Sequence, residues 1–164
     1  MRAILSTTAL LLCLAAGALA LAPGDRLPSL DLKTAKGTSF DMTALAGRVI
    51  YLDFWASWCG PCKESFPFME ALQKEFSAQG FEVVAVSLDR KPAAAASFLA
   101  SRPVSFSLAY DAKGKSAEDC GVTGMPTCVL VDRKGVVHSV HTGFRSGDTK
   151  TLRDQVKALL AEGK

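Results

Sequence analysis

The chain has 164 residues, 49% of them hydrophobic and 21% charged, with a formal net charge of +3. That is the length and composition of one globular domain, with enough chain to bury a core without disulfide or metal staples. So small a charge excess excludes an electrostatic case for nucleic acid or a membrane surface as partner.

The N-terminus reads as a secretory leader. Arg2 is the only charge before Asp25, Ala9 to Ala22 is apolar throughout, and Ala18-Leu19-Ala20 places small residues where a signal peptidase cuts. The apolar run is 14 residues, shorter than the roughly 18 that suggest a spanning helix. Residues 1–20 are therefore expected to be a cleaved signal peptide and 21–164 the working domain, exported to the periplasm; an uncleaved anchor is the alternative. Leu12 before Cys13 is too bulky for a lipidation site. Losing Arg2 takes the net charge from +3 to +2. Four cysteines then remain: Cys59, Cys62, Cys120 and Cys128.

Pro23-Gly24 and Pro28 mark an extended lead-in. Val49–Phe54, apolar with β-branched and aromatic residues, predicts a buried strand. Gly60–Gln79 predicts a helix closed by Gly80, and Phe81–Leu88 a second buried strand. Ala93–Ser101 follows Pro92 as a helix, and Phe106–Tyr110 is a strand. Thr127–Asp132 and Val136–His141 flank Arg133-Lys134-Gly135 as a hairpin. Leu152, Val156, Leu159 and Leu160 share one face of a C-terminal helix. This order predicts an α/β domain, a mixed central sheet flanked by helices.

Chemistry concentrates where the first buried strand meets its helix. Cys59 falls at the helix N-terminus, where unpaired N–H groups and the macrodipole favour thiolate over thiol. Thiolate is the attacking species in disulfide exchange. Cys62, three residues on, can close a disulfide with Cys59 or resolve a mixed disulfide formed there. Pro61 sits in the first turn, where its missing N–H costs little. Pro67 falls inside the helix and predicts a kink. Asp53, six residues before Cys59 on the apolar strand, is expensive to desolvate. Burial should raise its pKa and fit it to exchange a proton with Cys62. Gly124-Met125-Pro126-Thr127 precedes a strand, and the residues alone leave the isomer of Pro126 open.

Cys120 and Cys128 allow two readings, a second disulfide or two small buried hydrophobes. A zinc site from all four cysteines is disfavoured by the Cys-x₇-Cys spacing, so no metal and no cofactor are expected. His138 and His141, three apart on a strand, read as surface residues.

The stretch Asp53-Phe54-Trp55-Ala56-x-Trp58-Cys59-Gly60-Pro61-Cys62-Lys63 resembles the active site of thioredoxins. Pro67 matches their helix-kinking proline, and Gly121-Val122-x-Gly124-Met125-Pro126-Thr127 resembles their cis-proline loop. The lead-in Gly24-Asp25-x-Leu27-Pro28-x-Leu30-x-Leu32 and the stretch Leu45-Ala46-Gly47-Arg48-Val49 are similar to the exported TlpA/ResA branch. So is the region from about Asp89 to Asp119. The resemblance implies a thioredoxin fold with an N-terminal extension and a helix–strand insert before the cis-proline loop. It implies Cys59, Cys62 and Asp53 as catalytic, with Trp58, Gly60, Pro61, Met125, cis-Pro126 and Thr127 binding substrate. Two positions depart from that branch: Asp53 where Asn is common, and Ser65 where an acidic residue often precedes Phe-Pro.

The function expected is a thiol:disulfide oxidoreductase that reduces disulfides in exported proteins. By resemblance its electrons come from a membrane donor of the DsbD/CcdA kind. The chain is read as a monomer with no nucleic-acid partner. A disulfide oxidase or isomerase, as in DsbA-like proteins, and a cytochrome c maturation reductase are the alternatives. A non-catalytic module would lack a motif cysteine, and a peroxidase would need Ser or Thr where Ala56 stands.

Overall fold

The computed structural model describes residues 20–162. The leader reading, apart from Ala20, lies outside them. Five strands form one sheet: β1 (Val49–Trp55), β2 (Phe81–Ser87), β3 (Ser107–Tyr110), β4 (Thr127–Val131) and β5 (Val137–Thr142). Their order is β3-β2-β1-β4-β5. β1 and β2 run parallel, as do β2 and β3, while β4 is antiparallel to both β1 and β5. The helices are α1 (Gly60–Phe76), α2 (Pro92–Ala100), α3 (Lys115–Asp119) and α4 (Asp148–Ala161).

Every residue of β1 and β2 is buried, as expected of strands covered on both faces. Alternation divides their side chains between two apolar layers. Tyr51, Trp55, Val83 and Ala85 pack with Phe66, Met69 and Leu72 of α1, Phe98 of α2 and Val156 of α4. Ile50, Leu52, Phe54, Val84 and Val86 pack on Leu30 and Leu32 of the N-terminal segment, Ala117 of α3 and Cys120. That segment is fastened by β-bridges from Arg26 to Val136 and from Lys33 to Tyr110.

Most elements lie within a residue or two of their predicted limits, and the differences have local causes. α1 ends at Phe76, and a 3₁₀ turn over Ser77–Gln79 follows it to Gly80, whose φ of +82° is a left-handed close. α4 begins at Asp148, four residues before its first core leucine. α3 was not foreseen, because five residues show no periodicity. It forms because Asp111 Oδ2 accepts from Ser116 N–H (2.6 Å) and Ser116 Oγ, while Asp111 Oδ1 accepts from Gly114 N–H (2.9 Å). Pro67 does lie inside α1, on its exposed side.

Candidate active site

The chain leaves β1 at Trp55 and turns into α1 within four residues. Cys59 N–H donates to Ala56 O (3.0 Å), closing the turn. Cys59 is the N-cap of α1, with extended backbone (φ −79°, ψ 112°). In the place of the usual hydroxyl or carboxylate cap, its Sγ accepts from Cys62 N–H (3.2 Å). Pro61 sits in the first turn, so one donor that would lack a partner is simply absent.

Cys59 and Cys62 form a disulfide, with Cα atoms 5.3 Å apart. The two sulfurs are unequal. Cys59 is 5% exposed and Cys62 is fully buried. Trp58, immediately before Cys59, is 70% exposed, an apolar ring presented to solvent beside the reactive pair.

Asp53 is 1% exposed. Alternation along β1 directs it to the same layer as Tyr51 and Trp55, the layer that contains Cys62. Its Cα neighbours across the sheet are Ala85 and Cys128. Its Oδ2 has no hydrogen-bond partner among the described residues. Desolvation by burial holds its carboxyl well above the ordinary carboxylate range. This is a group that takes and keeps a proton more readily than a solvated aspartate does.

The Met125–Pro126 peptide is cis. Register pairs Phe54 with Thr127, which sets Pro126 beside the carboxyl end of β1, where the turn to Cys59 begins. Met125 packs against the layer holding both cysteines. Thr127 Oγ1 donates to Gly124 O (2.8 Å), and Pro126 O accepts from Gly143 N–H (2.7 Å). Gly60 and Pro61 are exposed at the start of α1. The structure thus gathers the predicted residues at one end of the sheet.

The second disulfide does not form. Cys120 and Cys128 are both free thiols. They belong to different apolar layers, Cys120 with Leu52 and Val129, Cys128 with Tyr51 and Leu130, so the sheet separates them. Burial pushes the Cys120 thiol to about 12 and raises Cys128 further, which leaves both as inert packing groups. His141 also departs from expectation. It is half-buried, with Nε2 3.2 Å from Asp148 Oδ2, while His138 is exposed.

Sequence reasoning missed Asp89 and Ser57. Asp89 is 3% exposed just beyond β2. Its Oδ2 accepts from Ser57 N–H (3.0 Å) and its Oδ1 from Ser57 Oγ (2.9 Å). Their separation of 32 positions puts this contact beyond any local pattern.

Comparison with known proteins places this site. The Redoxin family matches residues 22–159. Thiol-disulfide oxidoreductase ResA of Bacillus subtilis is 33% identical over 128 residues, covering 78% of this chain and 72% of that protein. The thioredoxin-like protein YneN of the same organism is 36% identical over 123 residues, covering 73% and 71%. A Chlorobium tepidum structure provisionally named thiol:disulfide interchange protein DsbE superposes with a TM-score of 0.83 at 46% identity. It covers 86% of this chain and 99% of that one. With a thioredoxin-fold sheet and a Cys-x-x-Cys disulfide capping its first helix, this chain belongs to the Redoxin family, as a ResA-type thiol-disulfide oxidoreductase.

Proposed function

We propose that the protein is exported, with residues 1–20 as a cleaved leader and 21–164 as the working domain in the periplasm, and that it reduces disulfides in exported proteins. The observation that carries this reading is the inequality of the two sulfurs at the head of α1. Cys59 caps the helix and keeps a small exposure, 5%, beside the exposed Trp58, whereas Cys62 has none. One sulfur can meet a protein substrate and the other can act only on the first.

In the reduced enzyme the Cys59 thiolate attacks one sulfur of the substrate disulfide. A Cys59–substrate disulfide forms, and the other substrate sulfur leaves as a thiolate. Asp53 then takes the proton from the Cys62 thiol. The Cys62 thiolate attacks Cys59 Sγ, and the second substrate sulfur departs. Two electrons have passed to the substrate, and the Cys59–Cys62 disulfide remains. A membrane dithiol donor of the DsbD/CcdA kind returns the electrons. Trp58, Gly60 and Pro61 on one side, and Met125, Pro126 and Thr127 on the other, hold an extended substrate segment against Cys59. The enzyme works as a monomer.

Cys62→Ser tests the order of attack. Without a resolving thiol, substrates should accumulate as mixed disulfides on Cys59 that survive alkylation and are released by dithiothreitol. Finding no such adducts in the exported compartment would contradict the mechanism. The direction of flow is read from the midpoint potential. A value near thioredoxin's, about −270 mV, fits a reductase, and one near about −120 mV belongs to an oxidase.

A further inference from the structure

The turn that delivers Cys59 is gripped from outside by a carboxylate with no part in the chemistry above. Asp89 leaves the end of β2 with its side chain buried. Both polar groups of Ser57 donate to it, N–H to Oδ2 at 3.0 Å and Oγ to Oδ1 at 2.9 Å. Ser87 Oγ donates to the same Oδ2 at 3.1 Å, and Asp89 N–H donates back to Ser87 Oγ at 3.3 Å. One residue earlier, Leu88 N–H donates to Trp55 O at 2.8 Å. The chain on either side of Ala56 is thus tied to the end of the neighbouring strand.

The geometry points to Asp89 as a positioning residue for Cys59, acting through Ser57. Ser57 is the second residue of the four-residue turn that Cys59 N–H closes on Ala56 O. It is only half-buried, and Trp58 beside it is exposed, so side-chain packing does little to hold the turn. Bonds to a carboxylate are stronger than neutral ones, and burial of Asp89 keeps water from competing for them. With the turn held, Cys59 keeps its extended N-cap backbone and its Sγ stays 3.2 Å from Cys62 N–H. That N–H is a donor that favours a thiolate on Cys59, and such bonds weaken steeply as distance and angle drift. Releasing Ser57 therefore takes away part of what favours the thiolate. The residue between Ala56 and Trp58 accordingly needs a hydroxyl.

This inference rests on Cys59 being the attacking thiol. The test uses the reduced enzyme in five forms: wild type, Ser57→Ala, Ser57→Thr, Asp89→Ala and the Ser57→Ala/Asp89→Ala double variant. The pH dependence of Cys59 alkylation by iodoacetamide reads the thiolate directly, and reduction of insulin reads turnover. Ser57→Ala should move the alkylation inflection upward and slow insulin reduction by roughly tenfold, the cost of a slightly misplaced reacting group. Ser57→Thr should stay with the wild type. Asp89→Ala should be affected at least as much as Ser57→Ala. The double variant should be no worse than Asp89→Ala, because both changes break one device. An unchanged inflection in folded Ser57→Ala and Asp89→Ala, or penalties that add in the double variant, would overturn the assignment. Should Asp89→Ala fail to fold, the Ser57→Ala and Ser57→Thr pair decides the matter alone. A wild type that alkylates as expected but leaves insulin intact would contradict the reductase reading and leave the clamp standing.

Discussion

Asp53→Asn is expected to slow resolution of the mixed disulfide by about 10²–10⁴-fold, the usual contribution of a positioned proton acceptor. First attack by Cys59 should change far less, because it needs no proton from Cys62. In a single-turnover experiment the Cys59–substrate adduct should therefore build up in the variant and then decay slowly. Resolution at the wild-type rate would remove Asp53 from the mechanism. The same substitution carries a stability signature with a definite sign. Burial raises the carboxyl's pKa in the folded state above its ordinary value of about 3.9. Between those two values the folded protein binds more protons than the unfolded chain, so stability falls as pH rises through that window. Below it Asp53 is protonated in both states and adds no pH dependence. Asparagine cannot ionise, so the fall should vanish in the variant. Thermal melts of the oxidised proteins from pH 4 to pH 9 should show the variant gaining on the wild type as pH rises. Parallel curves would mean that the carboxyl is not desolvated.

Phe66→Ala is expected to cost about 3–5 kcal/mol of stability, the range for truncating a buried phenylalanine. At roughly 2–4 °C per kcal/mol for a domain near this size, the melting point should drop by about 6–20 °C. Phe66 is 2% exposed. Its ring lies 4.7 Å from that of Trp55, 5.0 Å from Phe98 and 5.6 Å from Phe106, centroid to centroid. It joins rings from β1, α2 and the approach to β3, so few neighbours can close over the void. Three aromatic pairings go with it, each worth about 0.5–1.5 kcal/mol beyond burial. Calorimetry of the oxidised variant reads the loss. A cost below about 1 kcal/mol would show that the α1–α2 contact is not part of the cooperative core. Phe66 stands four residues after Cys62 on α1, so the same packing also fixes the helix that carries the reactive pair.

Much of this was legible because the informative signals are local. Val49–Phe54 reads as a strand covered on both sides, and β1 is buried at every position. The cysteines at the head of a helix announce their chemistry through spacing alone. Gly80 ends the helical segment because its left-handed backbone suits glycine. The failures are of another kind. Cys120 and Cys128 are eight apart in a segment rich in turn residues, and the sequence alone left their pairing open. Strand alternation decides it by sending Cys128 into the Tyr51 layer while Cys120 packs on the other face. α3 is too short for periodicity and depends on Asp111 binding back onto it. Asp89 looks like an ordinary turn residue ahead of Arg90-Lys91-Pro92, because its partner Ser57 becomes a neighbour only once β1 and β2 pair. His141 reads as a surface residue until α4 brings Asp148 beside it. The Ser57–Asp89 contact spans 32 positions and needs the sheet to form, whereas Asp111–Ser116 and His141–Asp148 span five and seven positions and depend on turn geometry that carries no periodic signal.

The central requirement is that sulfur at the head of α1 be anionic where an ordinary cysteine is not. The direct measurement is a titration of the Cys59 thiolate in the reduced enzyme, by its ultraviolet absorbance or its alkylation rate. The thiol should titrate clearly below the free-cysteine value of about 8.5. An inflection at or above that value would contradict the account, since neither the N-cap geometry nor the turn behind it would then be activating the nucleophile.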